Sequence, residues 1–305
     1  MEHTKAAVLV VVLAVAVLGL ATDGQAQLQN GFYTGKCRGN DVEAVVRGIV
    51  KARFAQDSAI VAHLLRLLFH ECGVNGCDGG LLIDGTGTEK TASPNLSVKG
   101  YDLIATIKME LEAVPRRGYA VRTGRRDRRR SIATDVNLPG PDFTAPQAAA
   151  FFRTLGLSSD DMVVLLGAHT VGVTHCSMIK KSRLYSYGGK AGATDPSMDP
   201  ELASIYKTYV CPNTASSDNN IVFLDDRSSA SKLDNSFYKM LQRRRGALMV
   251  DQNLYGDGST RWMVDRLANT DHFRWLFPQA LIKLGEVNVL TGTQGEVRKL
   301  CSKFN

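Results

Sequence analysis

The sequence predicts a mostly helical protein with negligible β-structure, and three observations support this fold class. Apolar residues recur every three or four positions along much of the chain, which is the spacing of an amphipathic helix. Residues that cap helix starts stand before several of these stretches. Runs that alternate apolar and polar residues, as strands do, are scarce. No internal repeat or low-complexity linker divides the chain, so we expect a single domain over residues 27–305.

The first 26 residues are predicted to be a secretory signal peptide. Lys5 supplies positive charge, residues 6–21 form an apolar core, and the sequence Gly24-Gln25-Ala26 suits a cleavage site. The alternative is a membrane anchor, but this apolar core is shorter than the roughly 20 residues that span a bilayer. We therefore expect a secreted protein whose mature chain begins near Gln27.

Composition indicates an ordinary globular protein that is basic, with 44% hydrophobic and 22% charged residues. The formal charge is +7, and loss of Lys5, Glu2 and Asp23 with the signal peptide raises it to +8. A secreted basic protein is suited to acidic polysaccharides, whereas secretion and the lack of a nucleic-acid motif argue against nucleic acid. Eight arginines lie between residues 116 and 130, where they form either a solvated surface or a polyanion site.

Helices are predicted in the following order along the chain. Asn40 and Glu43 resemble a capping box that starts the first helix. Asp57 or Ser58 caps the second helix, which runs through His70. Periodicity and caps place further helices at residues 103–111 (ending at Pro115), 144–152, 158–169, 235–241, 260–267 and 271–284.

The stretch at residues 64–78 is the strongest candidate for a functional site. On a helix, Arg66, Phe69 and His70 share one face, because they stand three and four positions apart. Cys72 and Cys77 enclose a short turn-forming loop just beyond them. A lone histidine among leucines is usually a core residue, but a neighbouring cation and an oxygen-rich loop favour a functional site here.

Three separate motifs carry a resemblance to a known family. They are RLLFHECGVNGCD at residues 66–78, VLLGAHTVGVTHC at residues 164–176 and LTGTQGEVR at residues 290–298. In this order they resemble the class III haem peroxidases that plants secrete. The resemblance implies the haem peroxidase fold, with helical lobes that sandwich haem b. It also implies a monomer that uses hydrogen peroxide to oxidise small phenolic donors one electron at a time. The implied setting is wall phenolic chemistry and oxidative stress, in the plant cell wall or the vacuole.

The resemblance also implies a role for individual residues. His169 would bind the haem iron, and Asp251 would hold the other nitrogen of its ring. His70 would move the peroxide proton, and Arg66 would stabilise the charge that develops. Asn95 would orient His70.

Three further assignments follow. Phe69 would form an aromatic wall beside the cofactor, and Pro139 matches a proline at the edge where donors enter. Asn95 also begins the sequence Asn95-Leu96-Ser97, a glycosylation signal. We favour the buried role for Asn95, because the family's asparagine points into the pocket.

Two calcium ions are implied as well, because oxygen ligands suit calcium. The distal set is Glu71, Val74, Gly76, Asp78, Gly80 and Glu89. Two of these positions depart from the family, which has aspartate in place of Glu71 and serine in place of Gly80. The proximal set is Thr170, Asp226, Ser229 and Asp234, with Asp225 as the alternative to Asp226. We expect the proximal site to be the more complete.

Six cysteines in a secreted chain predict disulfides, although spacing alone allows 15 pairings. The resemblance pairs Cys72 with Cys77 and Cys176 with Cys211. Cys37 and Cys301 lose their family partners and would be free or joined to each other.

The resemblance breaks between Val114 and Gly124, where the family carries a longer segment. That segment holds an interior helix, two cysteines and an aspartate that pairs with an arginine of the motif Gly124-Arg125-Arg126-Asp127. The motif's arginine is therefore expected to lack its carboxylate. If the missing segment prevents haem binding, the alternative function is a non-catalytic secreted basic protein that binds acidic wall polysaccharide.

Overall fold

The computed structural model describes residues 28–33, 41–113 and 122–305. The predicted signal peptide, Cys37, Asn40 and the stretch from Val114 to Pro115 lie outside the described residues. Within the described ranges, no helix has both the length and the apolar character needed to cross a membrane.

The fold is mostly helical, as the sequence predicts. The α-helices are α1 (Val42–Gln56), α2 (Ile60–Cys72), α3 (Tyr101–Ala113), α4 (Ala145–Thr154), α5 (Ser159–Leu166), α6 (Cys176–Ile179), α7 (Pro200–Ile205), α8 (Ser236–Gln242), α9 (Met249–Gly256), α10 (Gly258–Asn269) and α11 (His272–Gly285). Short 3-10 turns include Gly80–Leu82, Glu89–Thr91, Ser93–Asn95, Ala133–Asp135, Gly167–Thr170, Tyr187–Gly189 and Ala215–Ser217, and π-helical turns span Lys180–Tyr185 and Tyr206–Val210.

The β-structure is small. Strand β1 (Gln29–Asn30) pairs antiparallel with β2 (Arg122–Thr123). Strand β3 (Val173–His175) pairs antiparallel with β4 (Ile221–Phe223), with Thr174 opposite Val222. The prediction of negligible β-structure is therefore confirmed for the described residues.

The sequence predicts the first residues of some helices correctly and those of others incorrectly. The capping boxes of α4 and α5 are confirmed, with Thr144 and Ser158 as the capping residues. Helix α1 instead begins after Asp41, whose carboxylate accepts the Ala44 N–H at 3.1 Å. Helix α2 begins after Ala59 without a side-chain cap. Its start is stabilised by the packing of its apolar face, which local cap residues do not encode.

One helix that matters for the site is missing from the sequence prediction. Helix α9 spans eight residues and has no side-chain cap at Leu248. It buries Asp251 and Gln252 among its apolar residues, which breaks the apolar period. A short helix with buried polar groups gives little periodic signal.

The main core lies between α4, α5, α8, α9, α10 and α11, which pack on one another. Phe152, Phe237, Tyr238 and Phe273 are among its fully buried side chains. Helix α2 packs against α11 and adds Cys72 to this core. Its other side, through Leu67, covers a smaller cluster. Helix α2, the turn after α5 and helix α9 are thus fixed by the core, and these three elements carry the site.

Candidate active site

The distal side of the site is built on α2, where the structure brings His70 and Asn95 together. His70 is buried, and its Nδ1 lies 2.6 Å from Oδ1 of Asn95. The amide of Asn95 is itself oriented, because its Nδ2 donates to the Glu89 carbonyl at 2.7 Å. An amide oxygen accepts only, so Nδ1 of His70 carries the proton and Nε2 carries the lone pair.

The pKa of His70 suits a proton acceptor. Burial lowers this pKa to about 4, the hydrogen bond to Asn95 opposes the decrease, and the nearby Arg66 charge adds to it. The imidazole is therefore neutral at the pH of most plant compartments, with Nε2 ready to take a proton.

Arg66 stands on the same face of α2 and reaches His70. Its Nε donates to Nε2 of His70 at 3.2 Å. Its terminal nitrogens donate to the carbonyl and hydroxyl of Ser97, both at 3.0 Å, and to the Pro94 carbonyl at 3.2 Å. Ser97 was missed by the sequence analysis as a site residue, although its place two residues after Asn95 was a usable signal.

The geometry also bears on whether Asn95 orients His70 or carries a glycan. The side chain is 2% exposed and both ends of its amide are bonded inside the protein. A glycan requires an accessible side-chain nitrogen. The structure therefore favours the buried role over glycosylation.

Phe69 and Pro139 lie close to this side. The Phe69 ring stacks on Phe152 with centroids 6.0 Å apart and meets His70 edge-on at 5.9 Å. Pro139 follows Leu138, which packs so tightly on the end of α2 that a Cβ at Gly73 would lie 2.7 Å from Leu138 Cδ2. Pro139 is partly exposed, as a residue at the edge of an entrance would be.

On the proximal side, His169 sits in the 3-10 turn after α5 and meets Asp251 of α9. Nδ1 of His169 lies 2.9 Å from Oδ1 of Asp251, which is fully buried. Burial opposes charge on the ring, but the Asp251 carboxylate outweighs it and raises the pKa of His169. The edge of the His169 ring also contacts Phe237, at a centroid distance of 6.1 Å.

These residues fit a haem. A histidine whose Nδ1–H is held by a buried carboxylate offers Nε2 to a metal, with its ring orientation fixed. Arg66 is close enough to His169 for its charge to lower the histidine's pKa. The charge of Arg66 on the distal side therefore acts on the proximal histidine.

The proximal oxygen cluster contains Asp225 where the sequence favoured Asp226. The Thr170 hydroxyl donates to Asp225 at 2.8 Å and lies 3.3 Å from Asp234 and 3.4 Å from the Lys232 carbonyl. Asp226 points elsewhere, accepting hydrogen bonds from Ser228. The chain carries two adjacent aspartates, and only the first of them, Asp225, is buried.

Ser229 stands at the edge of this cluster, with its hydroxyl 2.9 Å from that of Ser236. Burial raises the pKa of Asp225. Carboxylate, hydroxyl and carbonyl oxygens that converge in this way fit calcium.

The distal oxygen cluster does not fit calcium in the same way. Glu71 and Asp78 are buried, and Glu71 accepts backbone N–H groups from the loop. Burial raises the pKa of Glu71 to about 7 and that of Glu89 to about 8. The Asp78 carboxylate contacts Arg128. Gly80 offers no side-chain oxygen, and Val74 and Gly76 lie in the disulfide loop between Cys72 and Cys77.

Both disulfides implied by the resemblance are present. Cys72 is bonded to Cys77 at the end of α2, and Cys176 is bonded to Cys211. Because Cys37 lies outside the described residues, the pairing of Cys37 and Cys301 stays a prediction.

The chain is similar to known proteins over most of its length. The sequence matches the peroxidase family over residues 46–118 and 115–270. Peroxidase 57 of Arabidopsis thaliana is 42% identical over 303 residues, covering 92% of this chain and 93% of the relative. Peroxidase 60 of the same plant is 39% identical and covers 96% of this chain and 94% of its own. Peroxidase 5 of Vitis vinifera is 38% identical, with 94% of both chains covered. The chain therefore belongs to the class III plant peroxidases, a family of haem oxidoreductases that act on hydrogen peroxide.

Proposed function

We propose that this chain is a secreted peroxidase that binds haem b through His169 and oxidises small phenolic donors in the plant cell wall. The observation that carries the proposal is the hydrogen bond between His70 and Asn95, at 2.6 Å. This hydrogen bond fixes the tautomer of His70 that carries its proton on Nδ1 and leaves Nε2 free to act as a base. A histidine with only a packing role would not need a fixed tautomer.

The chain's own residues have the following parts. Nε2 of His70 takes a proton from peroxide, exchanging its present contact with Arg66 for that proton, and returns it to the departing oxygen. The guanidinium of Arg66, held by Ser97 and Pro94, stabilises the negative charge that develops as the O–O bond breaks. His169 holds the cofactor while Asp251 keeps its Nδ1–H in place. Haem held by His169 would supply the redox chemistry for one-electron oxidation of the donors.

Stopped-flow mixing with peroxide tests the part given to His70. The His70→Ala variant should keep its haem but react about 10²–10⁴-fold more slowly, because it loses acid–base help. His63→Ala is the matched control, since His63 lies on the same helix and takes no part in the Asn95 contact. A rate equal to that of the unmodified chain in His70→Ala would refute the assignment.

The assignment of His169 as the haem ligand is tested by measuring the Soret absorption band of the purified variants. His169→Ala should abolish this band, because the iron loses its protein ligand. His175→Ala, an exposed histidine on β3, should leave it unchanged. A normal band in His169→Ala would show that the iron is held elsewhere.

The alternative is a non-catalytic basic protein that binds acidic wall polysaccharide, and the arginine-rich segment motivates it. Several of those arginines have partners within the protein. Arg125 donates to the Gly285 carbonyl at 2.9 Å, Arg126 to the Gln294 carbonyl at 2.5 Å, and Arg130 pairs with Asp135. This internal use weighs against a dedicated polyanion surface. A purified protein with no Soret band and tight retention on a pectate column would favour the alternative.

A further inference from the structure

The first unusual feature of the distal loop is the hydrogen bonding of Glu71. Its Oε1 accepts the N–H groups of Asp78, at 2.9 Å, and of Gly79, while Oε2 accepts the Leu81 N–H at 2.9 Å. Three backbone N–H donors thus converge on this one carboxyl group. Aspartate would be one methylene shorter, so the longer glutamate is what reaches these amides. Glu71 therefore holds the loop directly, and its oxygens are occupied by backbone donors.

The second feature is the contact between Asp78 and Arg128. Asp78 is almost fully buried; its Oδ1 accepts the Gly80 N–H at 3.1 Å and its Oδ2 contacts Nε of Arg128. Arg128 also donates Nη2 to the Asn75 carbonyl at 3.2 Å and its backbone N–H to the Asp78 carbonyl at 2.7 Å. One cation thus joins a carboxylate and a loop carbonyl, which is the kind of bonding that calcium would give.

The third feature is the close approach of Glu89 to Gly80. A Cβ built on Gly80 would lie 2.6 and 2.8 Å from the two carboxylate oxygens of Glu89. No side-chain carbon approaches that closely, so the Glu89 carboxylate fills the space in which the family's serine would stand. The close packing of Glu89 therefore favours glycine at position 80, and glycine brings no hydroxyl ligand.

A second buried guanidinium, that of Arg298, also contacts this loop. Arg298 is buried and donates to the Gly79 carbonyl at 2.6 Å and to the Arg128 carbonyl at 2.5 Å. Arg298 belongs to the motif at residues 290–298 that this chain shares with the family, so the replacement of calcium rests on Arg128.

From these contacts we propose that Arg128 replaces the distal calcium ion of the family, so that this chain holds its distal loop without a metal. The consequence reaches the active site. Glu89, whose carboxylate packs on Gly80, also accepts the Asn95 amide through its carbonyl, and Asn95 orients His70. The distal histidine is then positioned by protein contacts that a chelator does not remove.

Calcium content tests the proposal without reference to activity. The mature chain is equilibrated with calcium chloride, desalted into metal-free buffer and analysed by inductively coupled plasma mass spectrometry. We expect no more than one calcium per chain, and none in Asp234→Asn, which alters the proximal cluster. Two ions in the unmodified chain, or one retained by Asp234→Asn, would overturn the proposal.

Thermal unfolding in excess chelator provides a second test that does not need Asp234→Asn to fold. Arg128→Gln should lower Tm by about 5 °C or more, because it leaves Asp78 buried without its cation. Arg130→Gln is the matched control, since Arg130 pairs with Asp135 at the surface, and it should shift Tm by less than about 2 °C. Equal shifts in the two variants would contradict the proposal.

A reversal experiment completes the design. The double variant Glu71→Asp, Arg128→Ser restores the family's aspartate at position 71 and removes the cation, and it leaves Gly80 in place because Glu89 fills the adjacent space. It should bind one more calcium than the parent chain, and no gain would count against the proposal. All three measurements are repeated in a chain that carries a relative's segment grafted between Val114 and Gly124. The calcium proposal can then be tested even if the 305-residue chain is obtained in poor yield.

Discussion

At the scale of single residues, His70 experiences opposing influences on its pKa. Burial lowers the value to about 4, Asn95 acts to raise it and Arg66 acts to lower it. The neutral ring is the active base, so the reaction with peroxide needs His70 unprotonated. The reactive fraction is therefore complete at neutral pH and is lost as the pH falls through this pKa.

The pH profile of the peroxide reaction should follow that pKa. We expect a level rate from pH 7 to about pH 5 and a decrease approaching tenfold per pH unit below about pH 4. Asn95→Leu should move this acid limb to lower pH, because it removes the group that raises the pKa. Arg66→Gln should move it to higher pH for the opposite reason. Stopped-flow rates across pH measure both shifts, and a limb centred near pH 6.5 in the unmodified chain would contradict the prediction.

The sequence predicts some of these residues better than others, for a physical reason. Arg66 and His70 are four positions apart, and the helix alone brings them together. The contacts of Ser97 with Arg66, Thr170 with Asp225 and Arg128 with Asp78 join residues that are far apart in the chain. Such contacts depend on how loops pack on helices, which local patterns do not specify.

At the scale of elements, α5 leads into the turn that carries His169, and its start is held by Asp161. Asp161 completes the capping box with Ser158 and also binds Nζ of Lys283 on α11 at 2.7 Å. The helix ends in the 3-10 turn that carries His169. One carboxylate thus supports the start of α5 and its packing on α11, and the turn that carries His169 follows two helical turns later.

The cap of α5 gives a prediction at this scale. Ser158→Ala should lower the free energy of unfolding by about 1 kcal/mol, because it leaves a first-turn N–H without its acceptor. Ser159→Ala is the matched control, since Ser159 lies inside the helix and is not the cap. Urea titration of both variants measures the difference. Equal midpoints would show that the cap contributes little to the stability of this helix.

The same scale shows why α9 was missed while α4 and α5 were predicted. Helices α4 and α5 begin with Thr144 and Ser158, whose capping boxes are local in sequence. Helix α9 has no such cap, and its buried Asp251 is stabilised by His169, 82 residues away. A carboxylate that is buried for a functional reason breaks the apolar period that would otherwise indicate a helix.

At the scale of the whole molecule, the motif after the shortened region is anchored to the C-terminal part of the chain. Asp127 and Glu296 exchange backbone hydrogen bonds at 2.9 and 2.8 Å, and the Asp127 carboxylate accepts the Arg298 N–H at 3.1 Å. Arg125 donates to the Gly285 carbonyl at the end of α11. Arg125 of the motif therefore has a partner within the protein, whereas the loss of the family's own carboxylate stays a prediction.

This anchoring does not replace what the missing segment supplies. The family match falls in two pieces that meet at residues 115–118, where the sequence analysis places the gap. Loss of an interior helix leaves space in the core, and even one large-to-small core change costs about 2–5 kcal/mol. Each family disulfide that is lost with the segment's cysteines would remove about 2–5 kcal/mol. A domain has only about 5–15 kcal/mol of stability in total.

The last prediction follows from these magnitudes and concerns the complete chain. The 305-residue form should fold poorly, bind haem weakly and turn over slowly, although His70, Arg66, His169 and Asp251 all lie outside the gap. A chain with a relative's segment grafted between Val114 and Gly124 should show a sharp rise in haem occupancy and in phenol oxidation. A graft of a flexible Gly/Ser segment of equal length is the control, because it restores length without the helix or the cysteines. If the 305-residue form already matches the first graft in turnover, the interior segment is dispensable and the remaining contacts suffice to hold the site.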